Sequence, residues 1–284
     1  MLQRMSEGSP KVVLTIAGFD PSSGAGITAD LKTIAAHGLY GVACITALTV
    51  QTTEGVLRCE PLCPELVRET LEALLDDTPP AAVKIGMLGS GDVAATVAEF
   101  LRAKPQPNVV LDPILKSSSG TELLDGAGLR ILREELIPLV DIVTPNFHEA
   151  GVLAGISVGD ENSMQQACQE LGRLGAKNVV ITGGHLAHPV DLLAMNPTCS
   201  GLDFYRFEHD RVKTASTHGT GCAYSSALAC NLARGLSLAG DEGAVSRAGM
   251  YVVSALREAY LVGKGVGPIN HFPGLKPKSP KREF

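Results

Sequence analysis

Two rhythms of apolar and polar residues alternate along the chain. Residues 12–17, VVLTIA, form a continuous apolar run that stops at Gly18, and Pro21, Ser22 and Ser23 behind it are turn and cap residues. From Gly24 to His37 the rhythm changes: Ile27, Leu31 and Ile34 recur at spacings of four and three, and Gly38 follows as a stop. The first pattern predicts a strand and the second an amphipathic helix, which together open a parallel-sheet unit.

The same alternation continues. Strands are expected at 42–50, 81–88, 108–115, 140–146 and 178–184, and helices at 64–77, 92–104, about 221–235 and 242–262. The strands are apolar without a polar face, which implies burial on both sides and hence an α/β sandwich around a mostly parallel central sheet. VDLLAM and DFYRFEHDRV, between 190 and 212, are separated by Asn196, Pro197 and Gly201 and predict an antiparallel hairpin at one sheet edge. No linker or internal repeat interrupts the pattern. One domain is expected over 12–273, between a flexible tail at 1–11 and a basic, Pro-containing tail at 274–284.

Composition narrows the function. The 284 residues, 45% of them apolar, suffice for one large core. A net charge of −6 argues against nucleic acid as a partner, since backbone binding needs clustered Lys and Arg. No run reaches the roughly 20 apolar residues of a membrane span, and MLQRMSEGSPK lacks the apolar core of a signal peptide, so no membrane partner and a cytoplasmic location are expected. Seven cysteines without CxxC spacing suggest neither a disulfide framework nor a zinc site.

In open α/β sheets ligands bind where the strands end, so the residues just after each strand carry the chemistry. They are polar and glycine-rich: GFDPSSGAG at 18–26, Gln51 and Thr52, Gly86 and Met87, Asp112, Asn146 with Glu149, Gly183 with Gly184, and HGTGC at 218–222. HGTGC stands where a helix begins, and its glycines let an anion approach free backbone N–H groups at the positive dipole end. It is not a P-loop, because no GK[ST] follows. Cys222, in the first helical turn, is expected to have a lowered pKa and to serve as nucleophile or general base. Asn146 and Glu149 fit a capping box, and the carboxylate, with Asp112, also fits Mg²⁺ held partly through water. Spacing leaves open whether Asp30 faces solvent or the pocket. Gln51 offers a donor and an acceptor, suited to a heteroaromatic ring edge.

Taken together, these segments resemble the phosphomethylpyrimidine kinases of thiamine biosynthesis, members of the ribokinase-like fold. The resemblance runs over about 12–273 and rests chiefly on 14–56 and HGTGCAYSSALA (218–229), with VKIGMLG, LDP, TPNFHEA, GGH and GVGPINHF in support. It implies ATP- and Mg²⁺-dependent phosphorylation of 4-amino-5-hydroxymethyl-2-methylpyrimidine to its monophosphate and then its diphosphate, by a homodimer. By the same resemblance Gln51 would bind the pyrimidine, and Gly18, Asp20, Asp30, Met87 and Ile114 would line or support its pocket. Asp112 and Glu149 would serve Mg²⁺. Asn146, Thr182 and Gly183 would lie beside ATP, while Gly219, Thr220 and Gly221 form an anion hole with Cys222 as base.

The sequence departs from the family twice. Thr182 precedes GGH and Ser118 precedes Ser119–Gly120, where the family often has lysine. The resemblance leaves three rivals: a pyridoxal kinase, which acts on a similar hydroxymethyl-bearing ring; a binder of thiamine precursors without turnover; and a thiol hydrolase, for which His218 is the local partner of Cys222. The glycines and serines of SSSGTELLDG make that loop a candidate lid.

Overall fold

The computed structural model describes residues 9–184, 186, 188–197 and 203–275; His185 and most of both expected tails fall outside these. The strands are β1 (Val12–Phe19), β2 (Tyr40–Thr52), β3 (Gly55–Pro61), β4 (Ala82–Ile85), β5 (Val109–Leu111), β6 (Ile142–Val143), β7 (Asn178–Ile181), β8 (Val190–Met195) and β9 (Asp203–Glu208). They form one sheet in the order β3-β2-β1-β4-β5-β6-β7-β8-β9. All pairs from β2 through β1 to β7 are parallel, and β3, β8 and β9 join antiparallel. The chain moves outward from β1 to β2 and then returns to the other side of β1 as β4. That reversal opens a crevice at the carboxyl ends of β1 and β4.

Strand alternation divides the core in two. Leu14, Ile16, Val83, Ile85, Val109 and Leu111 face one side, where α2 (Pro64–Asp77), α3 (Gly91–Ala103), α4 (Gly126–Ile131), α5 (Phe147–Ala154) and α6 (Glu161–Arg173) pack. Val13, Ala82, Val110, Ile142 and Val180 face the other, against α1 (Gly26–Ala36), α7 (Thr220–Ala233) and α8 (Ala244–Arg257). Because both faces are covered, the strands show the unbroken apolar character seen in the sequence. No helix among the described residues is long and apolar enough to cross a membrane.

Several elements differ from expectation. The sheet has antiparallel strands at both edges, because β3 pairs with β2 through the short turn at Thr53–Glu54. Its sequence, GVLRCEP, is half-exposed and has no continuous apolar run to betray it. The last helix ends at Arg257 rather than 262. The chain beyond it crosses to the β2–β3 turn, where Val266 N donates to Thr53 O at 2.9 Å, then pairs beside His218 and buries Ile269. The carboxyl-terminal segment thus closes one flank of the crevice.

Candidate active site

Two glycine loops meet at the crevice, backbone against backbone. Gly219, the residue before α7, is left-handed (φ 87°), and any side chain there would collide with the Gly24 carbonyl. Gly26 is also left-handed (φ 58°), and a Cβ on it would strike the Gly18 carbonyl. The start of α7 is thereby pressed onto the loop leaving β1. Gly221 faces Asp112, whose Oδ2 would be 4.0 Å from a Cβ at that glycine, so the start of α7 and a buried carboxylate border one space, while the Thr220 N–H is taken by Thr217 O at 3.4 Å.

Beside them lies a narrow cavity of about 100 Å³ walled in part by Gln51, Val56, Ser118, Ser119, His218 and Val266. Met87 and Ile114 gather with Ala47, Leu123 and Val56 in a small apolar cluster. Gly18 lies against this cluster, and a side chain there would push the Met87 Cε methyl aside. The lid candidate folds as a small hairpin: Lys116 bridges to Glu122, Ser117 N donates to Thr121 O at 2.8 Å, and Thr121 Oγ1 donates to Val56 O at 3.3 Å. Ser118 and Ser119 therefore stand over the pocket. Lys116 instead lies 3.7 Å from Glu122, on the surface.

His218 is fixed by a neighbour that spacing did not reveal. Its Nε2 lies 2.8 Å from Asp20 Oδ2 and 3.4 Å from Gln51 Nε2. Asp20 also accepts from Ser22 N and Oγ and from Ala25 N. Burial alone would raise the Asp20 pKa, but His218, Ser22 and Ala25 outweigh it and the value is lowered. Asp20 is thus saturated by its own loop and by His218. It fixes the pocket wall and offers little to a ligand directly.

Asp30 lies beneath the pocket, not in its lining. It is wholly buried and pairs with Lys84, whose Nζ is 3.0 and 2.9 Å from its two oxygens. Thr15 and Ser226 hydroxyls donate to the same carboxylate at 2.6 and 2.9 Å. Sequence reading missed Lys84. The signal was available: a lysine in a strand buried on both faces and an aspartate on a buried helix face must find each other, since an unpaired buried charge is very costly.

Cys222 departs from expectation. It is buried, and burial pushes its thiol up to about 12, although the Lys84 charge and the Gly26 N–H pull the other way. The helix start alone therefore does not yield a free thiolate, because desolvation opposes it. His218 is engaged with Asp20 and Gln51, so a Cys–His pair gains no support from the geometry.

Asn146 and Glu149 form the capping box: Asn146 Oδ1 accepts from Glu149 N at 3.0 Å, and Glu149 Oε2 accepts from Asn146 N at 2.9 Å. Burial, and then the Asp112 charge, raise Glu149 to about 8. Burial also raises Asp112, against the pull of Lys84 and of Ser225, which donates to Oδ2 at 2.9 Å. Two buried carboxylates that resist ionising near each other fit a hard divalent cation. Among the described residues no three His, Cys, Asp or Glu side chains cluster as a complete cage, which suits a cation that takes most ligands from phosphate and water. Asn146 and Thr182 lie side by side at the ends of β6 and β7. Gly183 donates its N–H to Asp191 at 3.1 Å and lies too close to the Val190 carbonyl to carry a side chain.

Comparison with known proteins shows the family. A model of the phosphomethylpyrimidine kinase family matches residues 20–270. The chain is 40% identical over 264 residues to a hydroxymethylpyrimidine/phosphomethylpyrimidine kinase of Haemophilus influenzae, covering 92% of this chain and 97% of the relative. It is 42% identical over 261 residues, 91% of this chain, to a thiamine biosynthesis bifunctional protein of Geobacter sulfurreducens, of which it spans only about half (52%). Among solved structures, an ADP complex of Bacillus subtilis pyridoxal kinase superposes with a TM-score of 0.83 at 33% identity, covering 93% of this chain and 98% of the other. With its glycine loops, its paired carboxylates and the long match at 20–270, the chain belongs to the phosphomethylpyrimidine kinase family.

Proposed function

We propose that the protein transfers the terminal phosphoryl group of ATP to the hydroxymethyl oxygen of 4-amino-5-hydroxymethyl-2-methylpyrimidine, and then a second onto the resulting monophosphate, in thiamine biosynthesis. The observation that carries this reading is the start of α7, where the exposed Gly221 adjoins the buried Asp112 while a cavity opens beside Gln51 and His218. Phosphoryl transfer asks for positioning and charge stabilisation more than for covalent chemistry, which is what such a site offers.

In this reading Gln51 meets the ring edge, and Gly18, Met87 and Ile114 form its apolar wall, with Asp20 and Asp30 as supports. The turn Gly219–Thr220–Gly221 holds the moving phosphoryl oxygens, chiefly through the Gly219 and Gly221 N–H groups, because the Thr220 N–H donates to Thr217 O at 3.4 Å. Cys222 accepts the hydroxyl proton in its thiolate form, which burial disfavours in the ligand-free site, as the new O–P bond forms and the bond to the departing ADP breaks. Asn146, Thr182 and Gly183 border the nucleotide. Asp112 and Glu149 hold Mg²⁺, which when bound screens the phosphate charge. With Thr182 and Ser118 in place of lysines, two phosphate cations are missing, so a weak ATP KM is expected.

The likeness to a pyridoxal kinase favours one second reading, activity on pyridoxal as well. ADP release with MgATP and either ring decides between them. Turnover with the pyrimidine alone supports the first reading, comparable rates support a dual kinase, and no release with either ring overturns both.

Reduced cysteines and ATP chemistry suit a cytoplasmic protein; the six described cysteines are free. We also propose a homodimer. Leu48, Val50 and Leu57 are exposed on the hairpin that forms one edge of the sheet, a surface that invites a partner. Sedimentation giving a single-chain mass would remove this.

A further inference from the structure

Asp191 is a buried carboxylate in β8, a strand whose other residues are all apolar. Leu192 and Ala194 turn to one core and Leu193 to the other, so alternation directs Asp191 to the side where α7 and α8 pack. There its Oδ2 lies 2.8 Å from His209 Nε2, while its Oδ1 accepts the Gly183 N–H at 3.1 Å. A Cβ on Gly249 of α8 would lie 2.2 Å from His209 Cε1, so that glycine leaves the room the imidazole occupies.

The two bonds stand where the sheet ladder breaks. β7 and β8 pair antiparallel as far as Ile181 and Leu192. Beyond that point the chain turns to its other neighbour: Thr182 N donates to Pro145 O at 3.1 Å, and Thr182 pairs with Asn146. The Asp191 side chain then supplies the acceptor that a ladder carbonyl gives in a continued strand. Residues just past β9 grip the rest of this loop, His209 N donating to Pro189 O at 3.0 Å and Arg211 donating to Leu186 O. Packing alone does not call for a carboxylate at 191, since a buried charge is costly until its partners are found. Holding the Gly183 N–H in one direction does call for it.

We propose that His209 and Asp191 are positioning residues for nucleotide binding: His209 fixes one oxygen of the Asp191 carboxylate, so that the other holds the main chain of Thr182, Gly183 and Gly184 in the shape that borders ATP. This rests on the kinase reading and on Thr182 and Gly183 as neighbours of the nucleotide. His209 Nε2 faces a carboxylate oxygen and so carries the ring proton. Truncating the imidazole leaves Asp191 Oδ2 without its donor, and the carboxylate is then free to turn away from Gly183. The pair acts through the Gly183 main chain and does not wall the cavity beside Gln51, so its effect falls on ATP and spares the pyrimidine.

The test compares His209→Ala, which removes the donor, with His209→Gln, which keeps an N–H on a side chain of similar reach, and with Gly249→Ala, which crowds the ring from α8. Steady-state ADP release is measured while ATP and the pyrimidine alcohol are varied in turn, and MgADP affinity is read by calorimetry. For His209→Ala the ATP KM and the MgADP Kd rise ~10-fold together, while kcat and the pyrimidine KM stay within about twofold. Gly249→Ala raises the same two quantities roughly fivefold, and His209→Gln stays within about twofold of the parent. An unchanged ATP KM and MgADP Kd in His209→Ala, an equal rise in both KM values, or a loss confined to kcat overturns the proposal. So does a His209→Gln protein that binds MgADP as weakly as His209→Ala. If His209→Ala does not fold, as read by its thermal transition, Gly249→Ala decides by the same split between the two substrates. Absence of turnover in the parent protein with either ring defeats the kinase reading instead, and so is distinguishable.

Discussion

Beneath the start of α7, Asp30 and Lys84 are wholly buried and closed in by Thr15 and Ser226, whereas above the ring cavity the serine loop rests on the β2–β3 hairpin through long, solvent-facing hydrogen bonds. The lower region holds charge in fixed positions, which is where phosphoryl transfer needs preorganisation. The upper region is joined by fewer and longer hydrogen bonds, which in the proposed reading suits the side where the ring enters and leaves.

The contrast can be broken most severely at the lower region. Cys222→Ala is expected to lower kcat on the alcohol by about 10²–10⁴-fold, with a much smaller loss on the monophosphate, as read by separate steady-state assays. Asp30→Ala leaves Lys84 buried without a partner, and should cost about 3–5 kcal/mol in a urea or thermal unfolding experiment. A loss below 1 kcal/mol would mean that the pair is less isolated from water than its burial indicates.

The wall between the two regions should respond to acid. Because the Asp20 pKa is lowered in the folded protein, its contribution is present above the unfolded value near 3.8 and is lost as pH falls through the folded value. Asp20→Asn should therefore be less stable than the parent by about 1–2 kcal/mol at neutral pH, with the gap closing in acid. A pH-independent gap would assign the effect to packing. The smallest effect belongs above: Ser119→Ala removes the 3.5 Å contact with Val56 N, and should change stability by less than about 0.5 kcal/mol while raising the pyrimidine KM a few-fold.

Much of this was legible from the sequence. The helix expected at 64–77 is found at Pro64–Asp77, that expected from Gly24 to His37 at Gly26–Ala36, and the polar strand ends do converge on one crevice. Periodicity succeeds there because each element buries a regular face. It failed at β3, whose exposed residues follow no apolar rhythm, and the helices α4 and α6 went unassigned. Long-range pairings were beyond it too. Asp20 meets His218 and Asp30 meets Lys84 only through the fold, and the Cys222 thiol is governed by burial that no local motif reports.

One earlier detail bears on how such a site can change over generations. Gly219 meets the Gly24 carbonyl through main chain, and the His218 ring lies against Gly24 beside that contact. A mutation elsewhere can reshape the ring cavity without disturbing that contact, while almost any replacement of Gly219 disturbs it at once. Substitution at Gly219 is thus constrained by backbone contact, whereas the side chains that wall the neighbouring cavity can change without touching it.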